Sequence, residues 1–149
     1  MTAGVATVRE TDTIANARKL MFERRIHHLP VVDERDVLVG ILSTNDLLRV
    51  GPHDHFARPR DVEEAMAGKA VAEVMTTDVV SVRPTDTIER AASLLELGTF
   101  HALPVATEAG KVLGIVTTGD LIRYLVRKAW EPSPPFARVP GAMIGNGGS

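Results

Sequence analysis

An α/β (α+β) fold made of two pseudo-symmetric β-α-β-β-α units is what this sequence predicts, and three observations carry the prediction. The stretch Gly40-Ile41-Leu42-Ser43-Thr44-Asn45-Asp46-Leu47 returns as Gly114-Ile115-Val116-Thr117-Thr118-Gly119-Asp120-Leu121. Laid over one another at that offset of 74 residues, Val5–Val50 and Val79–Tyr124 align without a gap and match at 20 of 46 positions. Within each copy, short β-branched runs alternate with apolar stripes of helical period.

The elements follow in the same order twice. Val5–Val8 reads as a short strand, and Thr11-Asp12-Thr13 offers N-cap side chains for a helix with the stripe Ile14, Ala17, Leu20 and Met21. In the second copy Val79–Val82 is the strand, Asp86 with Glu89 is the expected capping pair, and the stripe is Ile88, Ala91, Ala92 and Leu95, ended by Gly98. The segments His27-His28-Leu29-Pro30-Val31-Val32 and His101-Ala102-Leu103-Pro104-Val105-Ala106 follow, with a proline that suits a strand's first residues or an edge. Polar reversals at Asp33–Asp36 and Thr107–Gly110 then lead into apolar strands, Val37–Ser43 and Lys111–Thr117, each of which turns into a helix at a hydroxyl residue.

Composition sets the limits. A chain of 149 residues that is 44% hydrophobic supports one ordinary core or two small halves sharing one, and the repeat selects the halves. With no cysteine, neither disulfides nor cysteine-ligated zinc can hold them, so they are expected to be held by packing against each other. Seventeen basic against nineteen acidic residues, without a basic block, leave no footprint for nucleic acid or an anionic membrane. No apolar run approaches the ~20 residues of a membrane span, and Met1-Thr2-Ala3-Gly4 lacks a signal-peptide layout, so a soluble, cytoplasmic protein is expected. The expected organisation is a first repeat at 1–50, a linker with a short helix at 51–69, a second repeat at 70–130, and a Pro/Gly-rich tail at 131–149.

The two strand-to-helix corners carry the chemistry. Ser43-x-x-Asp46 and Thr117-x-x-Asp120 fit an acidic capping box, which alone would explain both residues. The same geometry suits a ligand, because free N–H groups at a helix start attract phosphate and a nearby carboxylate can accept hydrogen bonds from a ribose diol.

The repeated order of strand, capped helix, x-Leu-Pro-Val, apolar strand and Gly-Ile-h-[Ser/Thr]-Thr-x-Asp-Leu (h, hydrophobic) resembles the cystathionine β-synthase (CBS) domain, present as a tandem pair over Met1–Val126. Met1 aligns with Met75, so the lead-in helix that Ala70–Val74 supplies to the second copy has no counterpart before the first. The resemblance implies two halves packed sheet to sheet around up to two clefts for adenosyl ligands: AMP, ADP, ATP or S-adenosylmethionine. It also implies regulation, energy sensing included, rather than catalysis, with no required cofactor. Carried over by residue, Asp46 and Asp120 would hold ribose hydroxyls, Ser43 and Thr117 would face phosphate or the ligand's polar tail, and Ile41 and Ile115 would flank the base. Val80 and His101 would complete the Asp46 cleft, and Ala6 and His27 the Asp120 cleft.

One departure affects phosphate. Between hydroxyl and aspartate, where many members carry arginine, this chain has Thr44-Asn45 and Thr118-Gly119, so a cation would have to come from protonated histidines. The Asp120 cleft is expected to be the tighter one for a phosphorylated ligand, because Gly119 replaces Asn45, Thr117 replaces Ser43, and His27 is followed by His28. Histidine contacts of this kind would make binding weaken as pH rises from about 6 to 8.

Other features read more plainly. His53-Asp54-His55 lacks a fourth ligand and closing spacing, which favours a solvated loop over a metal site. No nucleophile or triad partner lies beside His27, His28 or His101, so no catalytic residue is assigned. Leu121, Ile122, Leu125 and Val126 give one helix more apolar surface than one face needs, which points to a homodimer. Three function classes remain, in this order: a nucleotide-sensing regulatory module acting on a separate partner protein, a ligand-free interaction module, and an enzyme.

Overall fold

The computed structural model describes residues 2–3, 5–50 and 58–129. In chain order the elements are β1 (Thr2–Ala3), β2 (Val8–Arg9), α1 (Ile14–Arg24), β3 (His28–Val32), β4 (Leu38–Ser43), α2 (Thr44–Leu48), α3 (Pro59–Ala67), a 3-10 turn (Val71–Glu73), α4 (Ile88–Glu96), β5 (Ala102–Ala106), β6 (Val112–Thr117) and α5 (Thr118–Ala129). The tail at 131–149 and His53-Asp54-His55 lie outside the described residues.

Two three-stranded sheets result, ordered β2-β3-β4 and β1-β6-β5. Each is built on an antiparallel hairpin, and the reversals place Asp36 and Gly110, equivalent in the repeat, at φ 61° and 83°. The left-handed region is open to glycine and tolerated by aspartate, which explains both residue types there. β1 crosses to the other repeat, pairing Thr2 with Ile115 and Ala3 with Gly114. Its counterpart Thr76 does the reverse, exchanging backbone bonds of 3.0 and 2.9 Å with Ile41 of the first sheet. The lead-in of each repeat thus borders the other repeat's sheet, a backbone cross-connection between the halves that needs no disulfide.

Three expectations need correction. The strand expected at Val5–Val8 forms only at Val8–Arg9, because Val5–Thr7 must carry the chain from one sheet to the other. The strand expected at Val79–Val82 shrinks to one bridge between Val82 and Val105. In the first repeat the Glu10 N–H continues the ladder to the Val32 carbonyl at 3.0 Å; the equivalent residue is Pro84, which has no N–H to donate. Finally, α4 is capped by Thr87, whose hydroxyl accepts the Arg90 N–H at 3.1 Å, while Asp86 accepts the Arg83 N–H at 2.8 Å. Thr13 and Asp12 divide the work the same way before α1.

The cores are unequal. Ile14, Ala17, Met21, Leu29, Val31 and Leu42 form the first, with Met66 of α3 and Val71 buried among them. Val71 belongs to the stretch assigned to the second repeat, yet it packs in the first core. Backbone bonds seat this connector: Ile14 N–H to the Lys69 carbonyl at 3.0 Å, and Val71 N–H to the Asp12 carbonyl at 2.7 Å. Among the described residues nothing equivalent covers α4, so Ile14 is 0% exposed and Ile88, expected in the second core, is 43% exposed.

Candidate functional site

The strand-to-helix corners are built alike. The Ser43 hydroxyl accepts the Asp46 N–H at 3.2 Å, and the Thr117 hydroxyl accepts the Asp120 N–H at 3.1 Å. Each carboxylate Oδ2 in return accepts its hydroxyl residue's N–H at 2.9 Å, so both capping boxes are complete. Oδ1 of Asp46 faces Arg49 at 3.6 Å, and Oδ1 of Asp120 pairs with Arg123.

They differ in access. The Asp46 side chain is 5% exposed and also accepts the Ser43 hydroxyl at 3.0 Å, whereas that of Asp120 is 15% exposed. Behind Asp46, α2 has five residues; behind Asp120, α5 has twelve, enough for a full helix dipole at its start. Burial pushes the Asp120 pKa up, but the Thr117 N–H, the Arg123 guanidinium and the Thr117 hydroxyl together hold it below the usual carboxylate range. Asp120 is therefore a pure acceptor at neutral pH.

A cavity of about 680 Å³ opens onto this corner, inside the range of about 300–1,000 Å³ typical of small-molecule sites. The second repeat contributes Ile115, Thr117, Thr118, Gly119, Asp120 and Arg123, with His101; the first contributes Val5, Ala6, Arg24, Arg25, Ile26, His27 and His28. Five residues singled out for one cleft, Ala6, His27, Ile115, Thr117 and Asp120, thus share one cavity. His101, expected to serve the Asp46 cleft, lines this cavity. Its carbonyl accepts the Thr118 N–H at 3.2 Å, which ties it to its own repeat's corner; His27 is tied to Thr44 in the same way at 3.0 Å. Ile41, Ser43, Asp46 and Val80 do not line this cavity: Ile41 is paired with Thr76, and Val80 packs against the second core. A groove of about 200 Å³ behind Asp120, between α4 and α5, is too small for an adenosyl group by the same measure.

Sequence reasoning missed the cations. Arg24, Arg25 and Arg123 all line the cavity, so its cationic groups are not confined to the histidines. Arg123 stands three residues after Asp120, on the same helix face, and that spacing was a readable signal. Arg25 was not readable in this way. It sits at the end of α1 in the left-handed region (φ 54°, ψ 44°), its N–H directed at the carbonyls of Met21 and Phe22. At His28, burial and then the nearby His101 and His27 lower the pKa, with only Asp46 opposing. His28 is thereby biased toward its neutral form. Among the described residues no group of three potential ligands is placed to hold a metal ion.

The family model of the CBS domain matches residues 1–53 and 71–127. This chain belongs to the CBS-domain family. Among its relatives, a homoserine O-acetyltransferase of Methanococcoides burtonii is 34% identical over 125 residues, 84% of this chain. The chain spans only 23% of that enzyme's length, so the match concerns the CBS part. CBSX2 of Arabidopsis thaliana, solved in complex with AMP, is 31% identical over 85% of this chain and 90% of its own, with a TM-score of 0.69. The CBS-domain pair of protein MJ0100, solved with 5′-methylthioadenosine and S-adenosylmethionine, is 26% identical over 86% of this chain and 93% of its own, also at 0.69. The two-repeat CBS fold is thereby shown. Among the described residues no helix is long and apolar enough to cross a membrane.

Proposed function

We propose that this CBS pair is a regulatory, non-catalytic module that binds an adenosyl nucleotide between its repeats and transmits occupancy to a separate partner protein. The observation that carries the reading is the shared cavity: one wall holds the Asp120 corner, the other holds Ala6, Arg25 and His27 from the opposite repeat. A ligand seated there touches both halves, so its binding free energy acts on how they sit together. Asp120 accepts the ribose hydroxyls, Thr117 and the α5 start face the phosphate or other polar tail, and Ile115 and Ala6 flank the base. The more enclosed Asp46 corner, with Ile41, Ser43 and Val80, is assigned a weaker second site. Ligands bound by CBSX2 and MJ0100 support the adenosyl class, and AMP, ADP, ATP and S-adenosylmethionine are the candidates. We place the protein in the cytoplasm as an energy sensor, with no nucleic-acid partner.

A second reading, a ligand-free interaction module, is favoured by one observation: Thr117 and Arg123 already satisfy Asp120. A thermal-shift panel separates the two. A ligand present at 100 times its Kd adds about 2.7 kcal/mol to the native state, several degrees in Tm. No shift with any of the four ligands would leave the scaffold reading.

The module is further expected to be a homodimer. On α5, Ile122 and Leu125 are 56% and 61% exposed on a short amphipathic helix. Light scattering at tens of micromolar should give twice the 16.1 kDa chain mass, reduced by Leu125→Glu; a single-chain mass unaffected by that change removes the dimer.

A further inference from the structure

The proposed site accepts ligands whose tails differ in sign: a nucleotide's phosphates are anionic, whereas S-adenosylmethionine carries a sulfonium and an ammonium beside its carboxylate. The cavity is not neutral between them. Three guanidiniums line it against one carboxylate, Asp120, in a chain whose net charge is −2. Asp120 is already paired, and its partner is Arg123. Arg24 and Arg25 have no ion pair among the described residues, and both are exposed. They come from the repeat opposite the Asp120 corner, so they face it across the cleft.

Arg25 adds an independent observation. A left-handed residue closing a helix is usually glycine, and an arginine there sits in a conformation that its side chain disfavours. The equivalent turn of the second repeat uses Gly98, at φ 74°, one position earlier in the alignment. The first repeat thus carries a strained, charged side chain where the second carries glycine, and strain of this kind collects at ligand sites.

Resting on the adenosyl reading above, we infer that Arg24 and Arg25 are specificity-determining residues that select a phosphate-bearing tail over a sulfonium-bearing one. Arg24, in the last turn of α1, also complements that helix's dipole, which makes Arg25 the sharper test. Arginine stays charged through the physiological range, so selection by Arg25 persists from pH 7 to 8, where selection by an imidazolium would fade.

The test is titration calorimetry on the full chain with ATP, S-adenosylmethionine and adenosine, for wild type, Arg25→Gly and Arg24→Gln/Arg25→Gly, at pH 7 and 8. Wild type should bind ATP at least tenfold more tightly than S-adenosylmethionine at both pH values. Arg25→Gly should weaken ATP about tenfold or more, by loss of a charged hydrogen bond, and leave adenosine within about threefold. Its Tm should rise, because glycine relieves the left-handed turn. Adenosine and S-adenosylmethionine binding at least as tightly as ATP, with Arg25→Gly indifferent, would overturn the selection and leave the adenosyl site standing. Absence of binding by all three would remove the site and the selection together. A preference for ATP that disappears between pH 7 and 8 would return the role to the histidines.

Discussion

Replacing Asp120 with alanine is expected to weaken binding of an adenosyl ligand by about 1.5–3 kcal/mol, roughly 10- to 150-fold, because charged hydrogen bonds to a ribose diol are lost. The cost to the fold should be smaller, about 1 kcal/mol, the usual cost of removing a helix cap. The two effects separate because the carboxylate does both jobs: Oδ2 closes the capping box with the Thr117 N–H at 2.9 Å, while Oδ1 turns to Arg123 and the cavity. Asp120→Asn keeps an acceptor for the box and loses the charge, so it should recover most of the stability and little of the affinity. Asp46→Ala should leave the tighter site in place, and alanine at both positions should abolish binding. Calorimetry with parallel thermal melts reads both quantities. If Asp46→Ala removes the stronger site while Asp120→Ala keeps it, the ranking of the clefts is reversed.

Leu29→Ala should be the costliest single truncation, at about 2–5 kcal/mol. Leu29 is fully buried in the first core, where Val71 and Met66 close the layer over α1. Little around it can collapse into the gap, and the cost of a truncation grows with the cavity that remains. Leu103, its repeat counterpart, is equally buried, but its core is smaller and borders the groove of about 200 Å³ beside α4 and α5. Its neighbours have room to move, so Leu103→Ala should fall at the low end of that range. Equilibrium urea unfolding of both variants gives the order, provided the m-values agree. Equal losses would mean that the uncovered face of α4 does not soften the second half.

The order of elements was legible because each depends on local pattern: the stripes of α1 and α4, the x-Leu-Pro-Val strands, and the hydroxyl-to-aspartate corners. What escaped depends on contacts distant in sequence. Nothing in Thr2–Ala3 announces pairing with Gly114 and Ile115, and nothing in the stripe of α4 tells that Ile88 lacks the cover Val71 gives Ile14. Thr85-Asp86-Thr87 offers three cap candidates in a row, and only the backbone conformation selects Thr87. The effect of Pro84 was legible in principle, since an imide nitrogen opposite a ladder carbonyl ends the pairing. At the candidate site, local motifs pointed to Thr117, Asp120 and Ile115. Arg24 and Arg25 went unnoticed because the second repeat has Gly98 and Thr99 at the equivalent positions, and nothing local tells that the end of α1 lies beside the opposite repeat's corner.

The most direct measurement is a crystal structure of the full chain grown with ATP. One nucleotide is expected in the cavity between the repeats, its ribose hydroxyls on the Asp120 carboxylate, its base between Ile115 and Ala6, and its phosphates at the start of α5 within reach of Arg24 and Arg25. A nucleotide bound only at the Asp46 corner, or an empty Asp120 cavity at saturating ATP, would contradict it.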